Sequence, residues 1–137
     1  MQLQIRDAIV TVVEAPYLLA FPSVPLVIGN SPFNWNDPPN LFATFEVEFN
    51  RGERISLGGP LKTRVYGYAY VTTRAAPGTG ERAALGVLDW FSTQLGEAIL
   101  TAPEYRIVLQ APQPGPGPAW AGWGVQEVKF RFTADPT

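Results

Sequence analysis

Carboxylates are the residues of this chain whose type and spacing could carry out acid–base chemistry. Glu46 and Glu48 are separated by one residue in an alternating stretch, so both are predicted on the same face of a strand. Glu53 follows a turn signal and could approach them across a hairpin. Such a cluster could bind a cation or act as an acid–base pair, as in glycosidases. We prefer a solvated face, or one paired with neighbouring basic residues, which are Arg51, Arg54 and Lys62.

The residue types that are missing restrict the chemistry further. The sequence has 137 residues and contains no histidine and no cysteine. Without cysteine there is no disulfide, no thiolate nucleophile and no cysteine-based zinc site. Without histidine the commonest general base is missing, and with it the Ser-His-Asp and Cys-His triads. A mechanism that uses carboxylates alone is still chemically possible, and it would need two acids placed across a cleft.

Two glycine-rich segments could be mistaken for phosphate-binding loops. Gly78-Thr79-Gly80 precedes a predicted helix, and Gly115-Pro116-Gly117 lies in a proline-rich stretch. A phosphate loop usually carries a lysine followed by serine or threonine, and no lysine follows Gly80. We interpret the first segment as a turn with Thr79 as the helix N-cap.

Aromatic residues offer several kinds of contact. Tyr66, Tyr68 and Tyr70 alternate along a predicted strand, with Arg64 and Arg74 on either side. Their shared face could stack bases or sugars, form a second core layer, or make a subunit interface.

Four further aromatic residues lie in loops. Phe33 and Trp35 are in a Pro/Asn-rich loop, and Trp120 and Trp123 follow a Pro/Gly-rich one. Exposed aromatic residues on loops suit a protein contact. The alternative is that these loops fold back and bury them.

Composition sets the framework that must hold these residues. The length and the 46% hydrophobic content predict one domain over residues 1–137 with its own core. The net charge of −2 argues against a strongly basic nucleic-acid-binding face. No signal peptide is recognisable, and no window approaches the ~20 apolar residues of a membrane span. We expect a soluble protein made in a cytoplasm.

Periodicity and turn residues predict the elements. Two helices are expected, over residues 2–15 before Pro16 and from Thr79 to a point before Pro103. The predicted strands cover residues 25–28, 41–50, 54–57, 64–74, 105–110 and 123–133. Residues 112–118 are predicted to be an exposed loop, and a bulge is expected near Gln126. The fold class is α+β: a mainly antiparallel or mixed sheet packed against two helices, with long Pro/Gly-rich loops.

The order of these segments resembles a known family. Arg54-Ile55-Ser56-Leu57-Gly58 is followed by Arg64-Val65-Tyr66-Gly67-Tyr68-Ala69-Tyr70-Val71, and then by Pro77-Gly78-Thr79-Gly80 and a helix. A Pro/Gly loop then leads to Gly122-Trp123-Gly124-Val125-Gln126 and a strand with Phe130 and Phe132. This order is similar to that of the tail-terminator-like, or tail completion, proteins of long-tailed bacteriophages. The resemblance covers residues 40–133.

The resemblance implies a structural role. Such proteins form rings, typically hexamers, that cap the tail tube, stop its polymerisation and join the tail to the neck and head. The implied partners are sister subunits, the tail-tube protein and a neck or connector protein, with the tail sheath as a further candidate. No membrane and no specific nucleic-acid recognition are implied, and DNA is expected to pass through the ring lumen. Such proteins are not enzymes, so the resemblance implies no catalytic residue, metal ion or cofactor, in agreement with the missing histidine and cysteine. The implied location is the virion tail and neck, after assembly in the host cytoplasm.

The resemblance also leads to interface hypotheses. For contacts with a sister subunit or the tube we expect the hairpin and one aromatic loop, namely Arg51, Glu53, Arg54, Lys62, Arg64, Phe33 and Trp35. Arg54 and Arg64 match positions in the family pattern. The loop carrying Pro114, Pro116 and Trp120 is expected to face the tube or the neck.

Other functions are also compatible with the residues. The nearest is another connector or neck ring that joins head to tail. A carbohydrate- or ligand-binding module would use the tyrosine stripe with Trp120 and Trp123. A histidine-free hydrolase would use Glu46 and Glu48.

Overall fold

The computed structural model describes residues 2–29, 32–55 and 62–137, and at residues 51–55 and 62 it describes the backbone. The helices in this part of the chain are α1 (Gln2–Ala20) and α2 (Arg82–Leu95). The strands are β1 (Leu26–Ile28), β2 (Leu41–Ile55), β3 (Lys62–Ala75), β4 (Ile99–Ala102), β5 (Tyr105–Leu109), β6 (Gln113–Pro116) and β7 (Gly124–Pro136). The predicted α+β class is confirmed.

One mixed sheet joins all seven strands, in the order β1-β2-β3-β7-β5-β4, with β6 also paired to β7. Among the strand pairs of the described residues, only β1–β2 is parallel. Strand β7 pairs with β3 along one side. Along the other side β7 pairs with β6 and, further along the chain, with β5. The long central strands β2, β3 and β7 therefore form a platform.

The alternation in β3 determines how the helices pack on this platform. Val65, Ala69 and Val71 are buried on one face, and Gly67 lies between them. A Cβ atom at Gly67 would come within 2.2 Å of the Glu48 carbonyl oxygen and 2.6 Å of the Phe132 ring. This face carries small side chains, and α2 packs against it with four buried residues, as the sequence predicted: Val87, Leu88, Phe91 and Leu95.

Helix α1 buries Ile5, Ile9, Val13 and Tyr17, one residue per turn, against the same core. The predicted end before Pro16 is wrong, because the helix continues to Ala20. Proline in a helix interior loses one hydrogen bond and clashes with the preceding turn. The packing of Tyr17 offsets this loss, since its ring centre lies 5.5 Å from those of both Trp90 and Phe91.

The hairpin is longer than predicted. A turn was expected at residues 50–53 and a return strand at 54–57, but β2 continues through these positions to Ile55. The turn signal corresponds instead to a bulge, because the register with β3 shifts between Phe49 and Gly52. Residues 56–61, where part of the predicted return strand falls, lie outside the described residues.

Both ends of α2 differ from the prediction. The N-cap position is Glu81 rather than Thr79, and its side chain makes no capping hydrogen bond. Thr79 belongs to the preceding turn, where its N–H donates to the Ala76 carbonyl over 3.0 Å. At the other end the chain turns at Glu97, with φ of 58°, and residues 99–102 pair with β5 instead of continuing the helix.

Two predictions around the proline-rich segment are also wrong. Residues 113–116 form an exposed strand paired with β7. Pro114 and Pro116 are tolerated there because an edge strand can direct its missing N–H groups away from its partner. No bulge occurs at Gln126, since the β3–β7 register is continuous from Gly124 to Ala134. Val125 faces the uncovered side of the sheet, where its side chain would lie 2.4 Å from a Cβ at Gly117.

Candidate functional site

The most distinctive surface is the face of β2, β3 and β7 that points away from both helices. Its side chains form rows across the three strands, because the registers align Glu46 with Tyr70 and Lys129. The next row aligns Glu48 with Tyr68 and Arg131. Glu46 and Glu48 therefore share a face, as their spacing predicted. We call this surface the open face.

A groove of about 390 Å³ lies on the open face. Its charged lining residues come from all three strands and are Glu46, Glu48, Arg74, Glu127 and Lys129. Tyr68 and Tyr70 lie on its floor, and Pro118 contributes to its wall. The groove is thus a polar, mixed-charge depression in the middle of the sheet.

Several polar groups in the groove already bind one another. The Tyr70 hydroxyl donates to Glu46 Oε2 over 2.5 Å, and Thr72 Oγ1 donates to Glu127 Oε2 over 3.1 Å. Lys129 Nζ lies 3.6 Å from the other oxygen of Glu127. Burial raises the pKa of Tyr70 above its ordinary value, and the hydrogen bond to Glu46 raises it further.

These contacts bear on the acid–base hypothesis for Glu46 and Glu48. Glu46 accepts its hydrogen bond from Tyr70, a partner that the sequence reasoning had not proposed. Within the described residues no group of three or more acidic side chains is arranged to hold a metal ion. The side chain of Glu53, the third member of the predicted cluster, lies outside the described residues.

An aromatic cluster covers one end of the open face. It is centred on Phe42, which is fully buried, and the loops before β2 and before β7 both fold back onto it. The ring centres around Phe42 lie at 4.8 Å for Phe33, 5.8 Å for Trp35, 5.9 Å for Trp120 and 6.1 Å for Trp123. The two loops therefore bring four aromatic residues together, although Trp35 keeps 49% of its surface exposed.

Arg74 lies beneath this cluster. Its guanidinium carbon is 5.5 Å from the Trp120 ring centre, 5.8 Å from that of Trp35 and 5.9 Å from that of Phe42. Nη1 donates to Thr44 Oγ1 over 3.2 Å, whereas the buried Nε has no partner among the described atoms. Burial lowers the pKa of Arg74, an effect that the nearby charges of Glu46 and Glu127 oppose. Sequence reasoning noted Arg74 only as a basic flank of the tyrosine stripe.

Arg64 occupies the opposite end of the open face, ten positions earlier on β3, a separation of roughly 33 Å in an extended strand. Its Nε donates to Asp135 Oδ1 on β7. The pKa of Arg64 is raised, first by this hydrogen bond and then by one with Tyr66. This predicted interface residue is therefore paired within its own chain.

The remaining predicted interface residues are divided among three places. Phe33, Trp35 and Trp120 meet in the aromatic cluster. Pro114 and Pro116 are exposed on β6. The backbone of the strands carrying the other four is described, but their side chains lie outside the described residues; these are Arg51, Glu53, Arg54 and Lys62.

Comparison with known proteins identifies the fold. No protein-family model matches the sequence, and no curated protein is significantly similar to it. A solved structure whose name is a bare identifier without functional meaning aligns with a TM-score of 0.77, covering 98% of this chain and 96% of that chain. The identity is 14%, so this likeness shows the fold alone. No helix among the described residues is long and apolar enough to cross a membrane.

Proposed function

We propose that this protein is a structural subunit of a phage tail, which forms a tail-terminator-like ring on the end of the tail tube. The ring ends tube polymerisation and joins the tail to the neck. The subunit acts through assembly and not through catalysis. On this proposal it is part of the virion and associates with sister subunits, the tube protein and a neck or connector protein. The observation that carries the proposal is the hairpin extension, the part of the β2–β3 hairpin that continues past the last pair between β3 and β7.

The pairing between β2 and β3 continues after the pairing between β3 and β7 has ended, although β7 itself runs on to Pro136 beside β5. The pairing of β3 with β7 ends at Val65 and Ala134. Beyond this point β2 and β3 still pair at Glu53 with Arg64, Arg54 with Thr63, and Ile55 with Lys62. Among the described residues none of these three pairs has a third strand in register, and the Arg64 side chain reaches Asp135 near the end of β7. A two-stranded ribbon is marginal in water, so it suits burial against another subunit.

The composition of this extension fits a ring. Ring closure requires a head-to-tail interface, in which one surface of a subunit meets a different surface of the next. Arg51, Glu53 and Arg54 provide both signs of charge within four residues, which favours a specific orientation of the partner. The same segment carries the sequence resemblance to tail-terminator-like proteins, and the α+β fold agrees with that resemblance.

The proposal is tested by the mass of the purified protein, measured by light scattering alone and with polymerising tail-tube protein. Electron microscopy of the same samples shows whether rings form or tube ends are capped. We expect closed rings, or a monomer that joins tube ends and shortens the tubes. A monomer that leaves tube length unchanged would contradict the proposal. Repeating the measurement with connector protein in place of tube protein separates a terminator from a neck ring.

The interface is tested by reversing its charges. The double variant Arg51→Glu/Arg54→Glu should abolish ring formation or tube capping and leave the thermal unfolding midpoint unchanged. The matched control is Arg82→Glu/Arg106→Glu, because both of those arginines are exposed and lie outside the hairpin. If the hairpin variant unfolds at a markedly lower temperature, the hairpin is needed for the fold and the interface assignment is wrong.

A further inference from the structure

A second groove lies between α1 and β4, away from the hairpin extension and the open face. Its volume is about 610 Å³. Helix α1 contributes Gln4, Asp7, Ala8, Thr11 and Val12, and the strand side is formed by residues 99–103. Ala8, Val12, Leu100 and Ala102 are partly buried against the core. The groove is therefore an apolar slot beside the last strand of the sheet.

The exposed edge of β4 supplies backbone hydrogen-bonding groups along this slot. The Leu109 N–H donates to the Ala98 carbonyl over 2.9 Å, so the carbonyl of Ala98 points towards β5. Antiparallel pairing alternates, which turns the N–H and C=O groups of Ile99 and Thr101 away from β5. Because β4 ends the sheet order, these groups point out of the sheet beside the groove. An added strand would satisfy them.

The wall of the groove holds an unsatisfied acceptor. Gln4 Oε1 is buried and has no hydrogen-bond partner among the described atoms. Leaving a buried acceptor unpaired is unfavourable, so a bound segment whose N–H reaches the Gln4 amide would be favoured there. Ile99 is 58% exposed beside the open backbone edge, on the sheet face opposite Leu100 and Ala102. The open backbone edge of β4 is the feature that indicates a bound segment that is itself peptide.

Charge selects the kind of segment. Exposed Glu97 and Glu104 lie at the two ends of β4, and exposed Asp7 lines the groove from α1. Asp7 already has a cationic partner, because Arg6 Nη1 lies 3.6 Å from Asp7 Oδ1. Arg106 lies across from Thr101, on the face of β5 opposite its buried residues. The acids that select the segment are therefore Glu97 and Glu104. A complementary segment therefore carries a basic residue at each end and apolar residues between them.

We propose that this groove binds an extended segment of a partner protein, which pairs with β4 and places two alternating apolar side chains between α1 and the strand. Its terminal basic residues lie near Glu97 and Glu104. Five residues match the site, because β4 spans four residues and a strand rises about 3.3 Å per residue. In such strand addition, main-chain hydrogen bonds provide affinity and side-chain pockets provide specificity. This inference goes beyond the proposed function and does not depend on it.

The test uses the blocked pentapeptide Lys-Val-Thr-Val-Lys, titrated into the isotope-labelled protein and followed by amide chemical shifts. We expect saturable shifts at Ile99, Thr101 and the groove side of α1. The first control is the same peptide with its central amide N-methylated, which removes one N–H that could pair with β4. The second is Glu-Val-Thr-Val-Glu, which reverses the charges. Both controls should bind at least fivefold more weakly. Equal binding of all three peptides, shifts elsewhere, or no shifts at millimolar peptide would overturn the proposal.

Protein variants give an independent readout. Thr101→Pro removes an N–H that points away from β5, so it should abolish binding and preserve the β4–β5 pairing. Glu97→Lys/Glu104→Lys should weaken the binding of the lysine peptide by about threefold to tenfold, because two exposed charge pairs are lost. Glu14→Lys/Asp89→Lys is the matched control, since both acids are exposed outside the groove. Equal weakening by both double variants would show a general charge effect and refute the site.

Discussion

The guanidinium carbon of Arg74 lies 5.5 Å from the centre of the Trp120 ring. This contact joins β3 to the loop that precedes β7. The same guanidinium is 5.8 Å from the ring of Trp35, on the loop that precedes β2. One side chain thus contacts both aromatic loops. Its Nη1 also donates to Thr44 on β2. Arg74 therefore fastens two long loops to one end of the open face.

A double-mutant cycle measures this contact. The variants Arg74→Met, Trp120→Leu and their combination should give a coupling energy of about 1–2 kcal/mol in chemical denaturation, because partial burial strengthens a cation–π contact. The control cycle uses Arg131 and Tyr68, whose separation is 6.0 Å and whose arginine is exposed. Its coupling should be smaller. Equal coupling in both cycles would show that burial of Arg74 contributes nothing to the contact.

Gly67 is predicted to tolerate no side chain. Gly67→Ala would drive a Cβ against the Glu48 carbonyl oxygen at 2.2 Å and the Phe132 ring at 2.6 Å. Backbone cannot move aside cheaply in a central strand, so we expect a loss of about 2–3 kcal/mol in the free energy of unfolding. Equilibrium denaturation of the purified variant checks this value.

Gly86→Ala is the matched control for the same change. Gly86 lies inside α2, and a Cβ there would meet no atom within 4 Å. Alanine should therefore stabilise the protein by about 0.5–1 kcal/mol through helix propensity alone. If Gly67→Ala and Gly86→Ala shift the free energy of unfolding in the same direction, β2, β3 and β7 do not approach one another closely at Gly67.

The sequence predicted best where local pattern and packing agree. Alternation in β3 indicated both its small buried face and its tyrosine face, and the spacing of Glu46 and Glu48 placed them together. The failures occur where tertiary contacts override local signals. Pro16 stays helical because Tyr17 is packed into the core, and residues 113–116 form a strand because β7 offers a free edge. The aromatic cluster depends on loops distant in sequence, which no local pattern could bring to Arg74.

Tyr17 carries a polar group that the fold does not use. Its side chain is fully buried, and its hydroxyl has no hydrogen-bond partner among the described atoms. Tyr17→Phe removes that group and keeps the ring contacts with Trp90 and Phe91, so we expect stabilisation by about 1 kcal/mol at neutral pH. Tyr70→Phe is the control, because it deletes the hydrogen bond to Glu46 and should not stabilise. Thermal and urea unfolding compare the two, and destabilisation by Tyr17→Phe would reveal a hidden partner of the hydroxyl.

The hydroxyls of Tyr17 and Tyr70 make the free energy of unfolding depend on pH in the alkaline range. Burial raises the pKa of Tyr17, and burial with the Glu46 hydrogen bond raises that of Tyr70. An unfolded tyrosine ionises near pH ~10, so above that pH the folded state holds more protons than the unfolded state. The contribution is complete below pH ~10 and is lost as pH rises towards the folded pKa values.

We therefore expect the free energy of unfolding to fall above pH ~10, by up to about 1.4 kcal/mol per pH unit for each such tyrosine. Urea titrations at pH 9, 10 and 11 measure the slope. Tyr17→Phe should reduce the slope of the unfolding free energy against pH by the amount that corresponds to about one bound proton. Tyr70→Phe should reduce this slope as well. An unchanged slope in Tyr17→Phe would mean that the hydroxyl ionises equally well in the folded and unfolded states, which its burial in an apolar core should prevent.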